Sequence, residues 1–481
     1  MNFSDNDLQQ IKSYGLTIEN INQQLQDFKR GFPFADIVKP ACLDDGILVV
    51  NDDNCETMAR EYDNYAKIHK IVKFVPASGA ATRMFKDLFD FMNNNVENPV
   101  SLKVVNNIQK FAFWNELKKY LPNDFNEKDI VKNILTESGL NYGNQPKGLI
   151  LFHEYNDGVR TAVEEHLVEG AQYAKSGDNV YIHFTISPEH KTGFQNLLNR
   201  VLPMYESRYN VKYNISMSEQ KKSTDTIAVN MDNTPFRNDD GSLLFRPAGH
   251  GALIENLKDI DADLIFIKNI DNVTIDELRI DTIKYKKILA GVLISLQQKI
   301  FQFIRDIDTG VANLRQIHEF INNELNVKLQ NTLSDTEYRK ILNRPIRVCG
   351  MVKNVGAPGG GPFWVRDNNR KISLQIVEAS QIAPKDKEIM NKSEYFNPVD
   401  LVCATKDYNG KKFDLTQYVD KNAGFISEKS KNGKPLRAME RPGLWNGAMS
   451  DWNTIFVAVP VSTFTPVKVV SDLLSPFHTT K

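Results

Sequence analysis

Cysteine is scarce in this chain. Cys42, Cys55, Cys349 and Cys403 are widely spaced and no C-x-x-C pair occurs. That excludes the usual thiolate zinc site and makes a reducing cytoplasm the expected compartment. No apolar run approaches the roughly 20 residues needed to span a bilayer, so no membrane partner is expected. The polar, acidic start lacks the basic and apolar layout of a secretion signal. An excess of either charge is missing too: 59 basic residues face 60 acidic ones, a formal net charge of −1. Nothing global therefore draws the chain to nucleic acid or to anionic lipid. Lysine-rich runs such as Lys284 to Lys287 read as solvated helix faces. The P-loop pattern G-x-x-x-x-G-K-[ST] is absent, and so are internal repeats.

What remains is an ordinary globular composition spread over 481 residues, enough for two or three domains or one elaborated α/β core. Residues 1–70 read as a mostly helical segment, with Ile18, Ile21, Leu25 and Phe28 at helical spacing. Short apolar runs at 71–77, 148–152, 181–186, 211–216, 242–245 and 263–268 read as strands, and others follow at 347–352, 374–377 and 454–459. Helical patterns cover 84–140, 159–174 and 275–345. In the last of these, Ile288, Leu289, Val292, Leu293, Leu296, Ile300 and Ile304 form a wide stripe expected to be packing surface. Strands alternating with helices predict a mostly parallel sheet. The expected α/β core runs over 71–390 with helical insertions at about 87–144 and 275–345, and 391–481 completes it.

Four short segments carry the chemistry. After the first core strand comes a small-residue loop, Ser78, Gly79, Ala80, Ala81 and Thr82, ahead of a predicted helix. Small side chains let backbone N–H groups approach phosphate oxygens, and Arg83 could neutralise them. A plain strand-to-helix turn would look the same. Pro247, Gly249, His250 and Gly251 also follow a strand candidate, where glycines would let backbone pack on a flat base. Asn269, Asp271 and Asn272 lie just past a very apolar strand, at the end where open α/β sheets bind ligands. Asp271 could hold Mg²⁺ against phosphates, or the segment could be an Asx turn. Lys468 follows Pro466 late in the chain and could offset phosphate charge.

In this order the motifs resemble those of the eukaryotic-type UTP:sugar-1-phosphate uridylyltransferases, the UDP-glucose and UDP-N-acetylglucosamine pyrophosphorylases. The resemblance covers 71–474. The chain as a whole also looks like a member of a bacterial family catalogued as domain of unknown function 4301. The first resemblance implies a nucleotide-diphospho-sugar transferase (GT-A, Rossmann-like) fold with a central mixed sheet. It implies transfer of a nucleotidyl group, from UTP by analogy, to a sugar 1-phosphate, with Mg²⁺ as cofactor and pyrophosphate released. Carried over residue by residue, Ser78, Gly79, Ala80 and Thr82 would cradle phosphate, and Gln220, Gly249 and His250 would form the base site. Glu378 in Ile376-Val377-Glu378 and Asn397 after Phe396 would bind the sugar, Asp271 the metal, and Arg83, Lys147 and Lys468 the phosphates.

The departures are informative. The family's Pro-Lys should follow the loop directly. Here Lys86 comes too early, whereas Pro146-Lys147 has the right form about 60 residues later, so an insertion over roughly 87–144 is expected to split the motif. Asp400 stands where the family has Asn, and the stretches 358–361 and 445–452 have no counterpart. Two rivals stay open: a non-catalytic nucleotide or nucleotide-sugar sensor, and a glycosyltransferase using Asp261-Ala262-Asp263 as a metal motif. The sequence leaves the oligomeric state open.

Overall fold

A computed structural model describes residues 3–94, 98–356, 360–367 and 370–480; residues 357–359, part of the glycine-rich stretch, lie outside that range. Eleven strands matter for the site. In chain order they are β1 (Asp36–Pro40), β2 (Gly46–Leu48), β3 (Ile71–Pro76), β4 (Asn179–Ile186), β5 (Lys212–Glu219), β6 (Leu264–Lys268), β7 (Ile346–Lys353), β8 (Gly361–Arg366), β9 (Ile372–Val377), β10 (Asp400–Ala404) and β11 (Asn453–Ala458).

The central sheet is mixed and runs β2-β11-β7-β10-β6-β3-β4, with β5 pairing the outer side of β4. Only β10 among these opposes its neighbours; the other contacts along the run are parallel. This has a direct consequence for function. Chain segments leaving β3, β4, β5, β6, β7 and β11 all emerge at one edge, and the segment entering β10 starts there too. Strands β3 and β6 are central and buried on both faces, which explains why they read as unbroken apolar runs rather than alternating ones.

Helices cover both faces. The stripe on the long helix Ile280–Asp308 is buried as expected, and packs against the 52–65 helix and the β7 and β10 strands. On the other face, the inserted helices between 86 and 135 bury Leu88, Phe91, Val104 and Ile134 against a cluster that includes Phe184 and Phe194. The described residues 3–70 contain three helices, as the periodicity suggests, but also β1, β2 and a two-residue strand. Strand β1 pairs with β8, which pairs with β9, in a second, four-stranded sheet.

Three expectations shift. The 148–152 strand is displaced to Leu151–Tyr155 and pairs only with Gly158–Thr161, outside the central sheet. It gives way because Lys147–Leu149 form a 3₁₀ turn. The following helix therefore starts at Ala162, where Thr161 and Glu164 make a capping box. The Lys284–Lys287 run is not a uniformly solvated face: Lys286 is fully buried and ion-paired with Asp400. The long helix is simply too wide in its apolar stripe to keep every lysine outside.

Three buried histidines make the fold acid-sensitive. Burial pushes His183 down to about 4 and His478 to about 3, and holds His166 well below its usual range. The unfolded chain takes up these protons near pH 6.5 while the folded chain does not. The histidine contribution to stability is therefore complete above about 6.5 and falls as pH drops toward the folded values, by about 2 kcal/mol per histidine between pH 7 and pH 5. The urea midpoint is expected to be clearly lower at pH 5 than at pH 7. His183→Gln, which removes one such group between Ser216 and Ser218, should flatten that difference; an unchanged pH dependence would count against the assignment.

Candidate active site

The split motif closes in space. Ala80 bridges Pro146, and the Ala81 N–H donates to the Gln145 carbonyl at 3.1 Å, so the inserted helices loop out between two adjacent residues of one site. The loop after β3 is held from behind: the Ala77 N–H bonds the Thr185 carbonyl and the Ser187 hydroxyl bonds the Ser78 carbonyl. Among the described residues, the N–H groups of Ser78, Gly79 and Ala80 meet no acceptor. Gly79, Ala80, Thr82 and Arg83 are exposed. The expected helix does not begin at once; Ala81–Arg83 form a 3₁₀ turn and the helix starts at Lys86. The segment is thus a loop with free amides, and helix polarity contributes little to it.

Lys147 lands beside Asp271, its Nζ 2.8 Å from Oδ2. The same Nζ donates to the Val467 carbonyl at 2.8 Å. Lys468 approaches the same carboxylate oxygen at 3.6 Å. Asp271 Oδ1 has no partner among the described residues. Backbone lacing fixes this meeting point: Val467 N–H to Asp271 O, Thr465 N–H to Asn272 Oδ1, Ile270 N–H to Pro76 O, and Val470 N–H to Met84 O. Four segments distant in sequence therefore converge on one carboxylate and two lysines. Lys86, the other lysine considered, is exposed at the start of its helix.

The second half of the site lies toward the second sheet. Gln220 follows β5, and its Nε2 is buried with no partner. The next turn of structure is tied to it: Asn256 donates to Ser218 Oγ and to the Glu219 carbonyl. Gly249 has φ +73°, and a Cβ there would sit 2.5 Å from Glu440 Oε2. His250 accepts from the Leu444 N–H through Nδ1 at 3.0 Å, which puts its proton on Nε2, 3.4 Å from Glu378 Oε1. Its ring stacks on Trp445 with centroids 4.0 Å apart. His250 thus faces the Glu378 carboxylate through Nε2. Burial alone would raise the Glu378 carboxyl, but donors from His250 and Trp445 outweigh it and hold the group below its ordinary value. Asn397 is buried, accepts from the Val399 N–H through Oδ1, and leaves Nδ2 unpartnered.

The structure also explains two departures from the pyrophosphorylase pattern. Asp400 turns to Lys286 beneath the sheet, so its change from Asn is matched by a buried lysine. Trp445, in a stretch without counterpart, stacks on His250, which faces Glu378. Sequence reading misses its role because nothing local links positions 250, 378 and 445. The Asp261 and Asp263 carboxylates both pair with Lys406, at 3.0 and 2.9 Å, at the opposite end of β6. That places them away from Lys147, Lys468 and Asp271. Among the described residues no group of three His, Cys, Asp or Glu side chains is arranged to hold a metal, and no helix is long and apolar enough to cross a membrane.

Glycine is obligatory at one neighbouring position. A Cβ on Gly251 would lie 2.1 Å from the Pro442 carbonyl oxygen. Gly251→Ala is expected to displace the 441–445 segment and to destabilise the protein by about 1–3 kcal/mol; an unaltered urea midpoint would show that the approach is looser than this.

A family model described as Domain of unknown function (DUF4301) matches residues 4–479. The chain belongs to the DUF4301 family. No curated protein matches its sequence. Among solved structures, this DUF4301 chain is similar to the UDP-N-acetylglucosamine pyrophosphorylase of Trypanosoma brucei, with 11% identity over 98% of this chain and 79% of that one and a TM-score of 0.51. It also matches the UDP-glucose pyrophosphorylase of Leishmania major, at 12% identity, 98% and 79% coverage and a TM-score of 0.45. A third match is a putative UDP-N-acetylglucosamine pyrophosphorylase from Entamoeba histolytica, at 11% identity, 92% and 85% coverage and a TM-score of 0.46. At such identities the likeness speaks for the fold, which is that of the nucleotide-sugar pyrophosphorylases.

Proposed function

We propose that this DUF4301 protein is a sugar-1-phosphate nucleotidyltransferase that takes a nucleoside triphosphate, UTP by the motif resemblance, and releases pyrophosphate. One observation carries the reading: Lys147 and Lys468 meet at Asp271 beside a loop with three free amides. That arrangement offers donors and positive charge for a triphosphate next to a second phosphate. An oxygen of the acceptor phosphate attacks the α-phosphorus, a new P–O bond forms, and the α–β bridging bond breaks with its electrons leaving on pyrophosphate. No proton need move, so the chain's task is positioning and charge neutralisation.

In this reading Ser78, Gly79, Ala80 and Thr82 bind the triphosphate by backbone, with Arg83 and Lys147 as its cations. Gln220 and Gly249 meet the base edge, and the unpaired Gln220 Nε2 supplies a donor. Glu378 accepts from sugar hydroxyls and Asn397 donates through Nδ2. Lys468 holds the acceptor phosphate. Asp271 fits Mg²⁺, because it presents one uncommitted carboxylate oxygen and Mg²⁺ takes few carboxylates plus phosphate oxygens. When bound, the ion would neutralise phosphate charge. A cytoplasmic setting agrees with the four free cysteines.

The test is pyrophosphate release with Mg²⁺, four nucleoside triphosphates and a panel of sugar 1-phosphates, with Asp271→Ala as control. Release that requires one triphosphate, one sugar phosphate and Asp271 is the expected result. Saturable UTP or UDP-sugar binding with no release for any pair would replace it with the sensor reading.

A further inference from the structure

A groove of about 410 Å³ lies on the second sheet, between β9, the residues before β1, and the 417–423 and 446–451 segments. None of the residues assigned above to the transfer reaction lines it. We propose that it is a binding site for a neutral carbohydrate, and that its occupant bears on the sugar-binding Glu378 through Gln381.

The chemistry of the lining points to that ligand class. Phe34 is 54% exposed there, and Tyr418 adds a second ring. Flat apolar rings suit the C–H faces of a sugar. Three hydrogen-bonding groups between them are uncommitted. Gln375 spends its Nε2 on the Ser450 carbonyl, which leaves Oε1 free. The Tyr418 hydroxyl and the Asn422 side-chain amide have no partner among the described residues. Such a mix of donors and acceptors matches hydroxyl groups, each of which both gives and takes. Charge argues against an anionic ligand. Four aspartates and two basic residues line the groove, and both cations have acidic neighbours: Arg366 lies 3.1 Å from Asp36, and Lys371 lies 3.7 Å from Asp451. The Asp451 carboxylate is shared with Arg344, which holds it more closely, but the lining aspartates outnumber the cations, so a phosphate would meet net negative charge.

Gln381 forms the wall between groove and active site. Its Oε1 accepts from the Glu378 N–H at 3.1 Å and from Asn446 Nδ2 at 2.8 Å. Its Nε2 donates to the carbonyl of Ala423, a groove residue, and its own carbonyl accepts from the Ala35 N–H beside Phe34. A ligand that tightens the 417–423 segment on β9 would pull on the amide that fixes Glu378. The coupling to Glu378 rests on the function proposed above; the binding itself does not.

Calorimetric titration of the full-length protein with glucose, N-acetylglucosamine and cellobiose, without nucleotide, tests it. Saturable binding of at least one sugar is expected. It should be retained in Glu378→Gln and weakened at least tenfold in the Phe34→Ala, Tyr418→Phe double variant. Phe34 is exposed and Tyr418→Phe removes only an unbonded hydroxyl, so both changes leave the fold in place, which thermal unfolding checks. Absence of binding by all three sugars overturns the proposal. So does binding that Glu378→Gln abolishes, because that sugar sits in the acceptor pocket. Neither result touches the pyrophosphate assay, which fails or succeeds independently.

Discussion

Lys147→Ala is expected to lower pyrophosphate release by about 10²-fold or more while leaving the unfolding midpoint close to that of the wild type. The size follows from where the charge sits. Lys147 Nζ is anchored twice, to Asp271 and to the Val467 carbonyl, so in the proposed reaction it would meet the phosphates already oriented and give up little freedom. Its side chain is 14% exposed and that of Asp271 10%, a shielded setting where a cation acts more strongly than in water. The fold should survive because Lys468 remains near Asp271 and the carboxylate keeps a partner. Turnover should fall mainly in kcat, since the lysine matters most as charge builds on the leaving pyrophosphate. Lys86→Ala is the matched control: that side chain is exposed on an inserted helix and should be dispensable. Steady-state kinetics on the two variants decides between them. Wild-type turnover in Lys147→Ala would move the role to Lys86 and leave the Asp271 pair as a structural contact.

The split motif was legible because its chemistry is local on each side. Pro146-Lys147 has the form of the missing half, and small residues at 78–82 mark a loop. The apolar runs of β3 and β6 and the stripe on the long helix were equally plain, because burial on two faces or along one leaves a period in the sequence. Strands β1 and β2 were not legible. They are three to five residues long and exist because β8 and β11 pair with them, which no local pattern records. The same holds for the clamp on Glu378, where positions 250, 378 and 445 are separated by more than 60 residues at each step. Charge misled at one position. Lys73 and Lys268 lie in runs that read as strands, whereas Lys286 lies in a run expected to be solvated; all three are buried, with their counter-ions on other elements.

Those lysines give the largest expected effect on stability. Lys73 on β3 and Lys268 on β6 both bond Glu169, at 2.7 Å each, from the 162–173 helix. Burial lowers the Lys73 ammonium below its ordinary range and the carboxylate draws it back up. For Glu169, burial alone would raise the carboxyl, and the two lysines reverse that and hold it well below normal. Glu169→Gln is therefore expected to destabilise the protein by about 3–5 kcal/mol, because two buried ammonium groups lose their counter-ion. Replacing the three charged side chains, with Lys73→Met, Glu169→Leu and Lys268→Met together, should instead cost clearly less, since apolar side chains of similar volume avoid the charge desolvation and only the Tyr173 hydroxyl loses its partner. Urea unfolding of the two proteins separates these outcomes; equal losses in both would mean that packing rather than charge dominates the cluster. The group also adjoins the segment that carries Asp271. Lys268 is three residues before Asp271, and His166 on the same helix donates from Nε2 to the Ile270 carbonyl at 3.2 Å. A displacement of order 1 Å at a catalytic group costs about 10²-fold in rate. The triple variant is thus expected to stay folded and lose turnover, which would identify the buried charges as what sets the height of Asp271 above the sheet. Full turnover in a stable triple variant would confine the cluster to the interior.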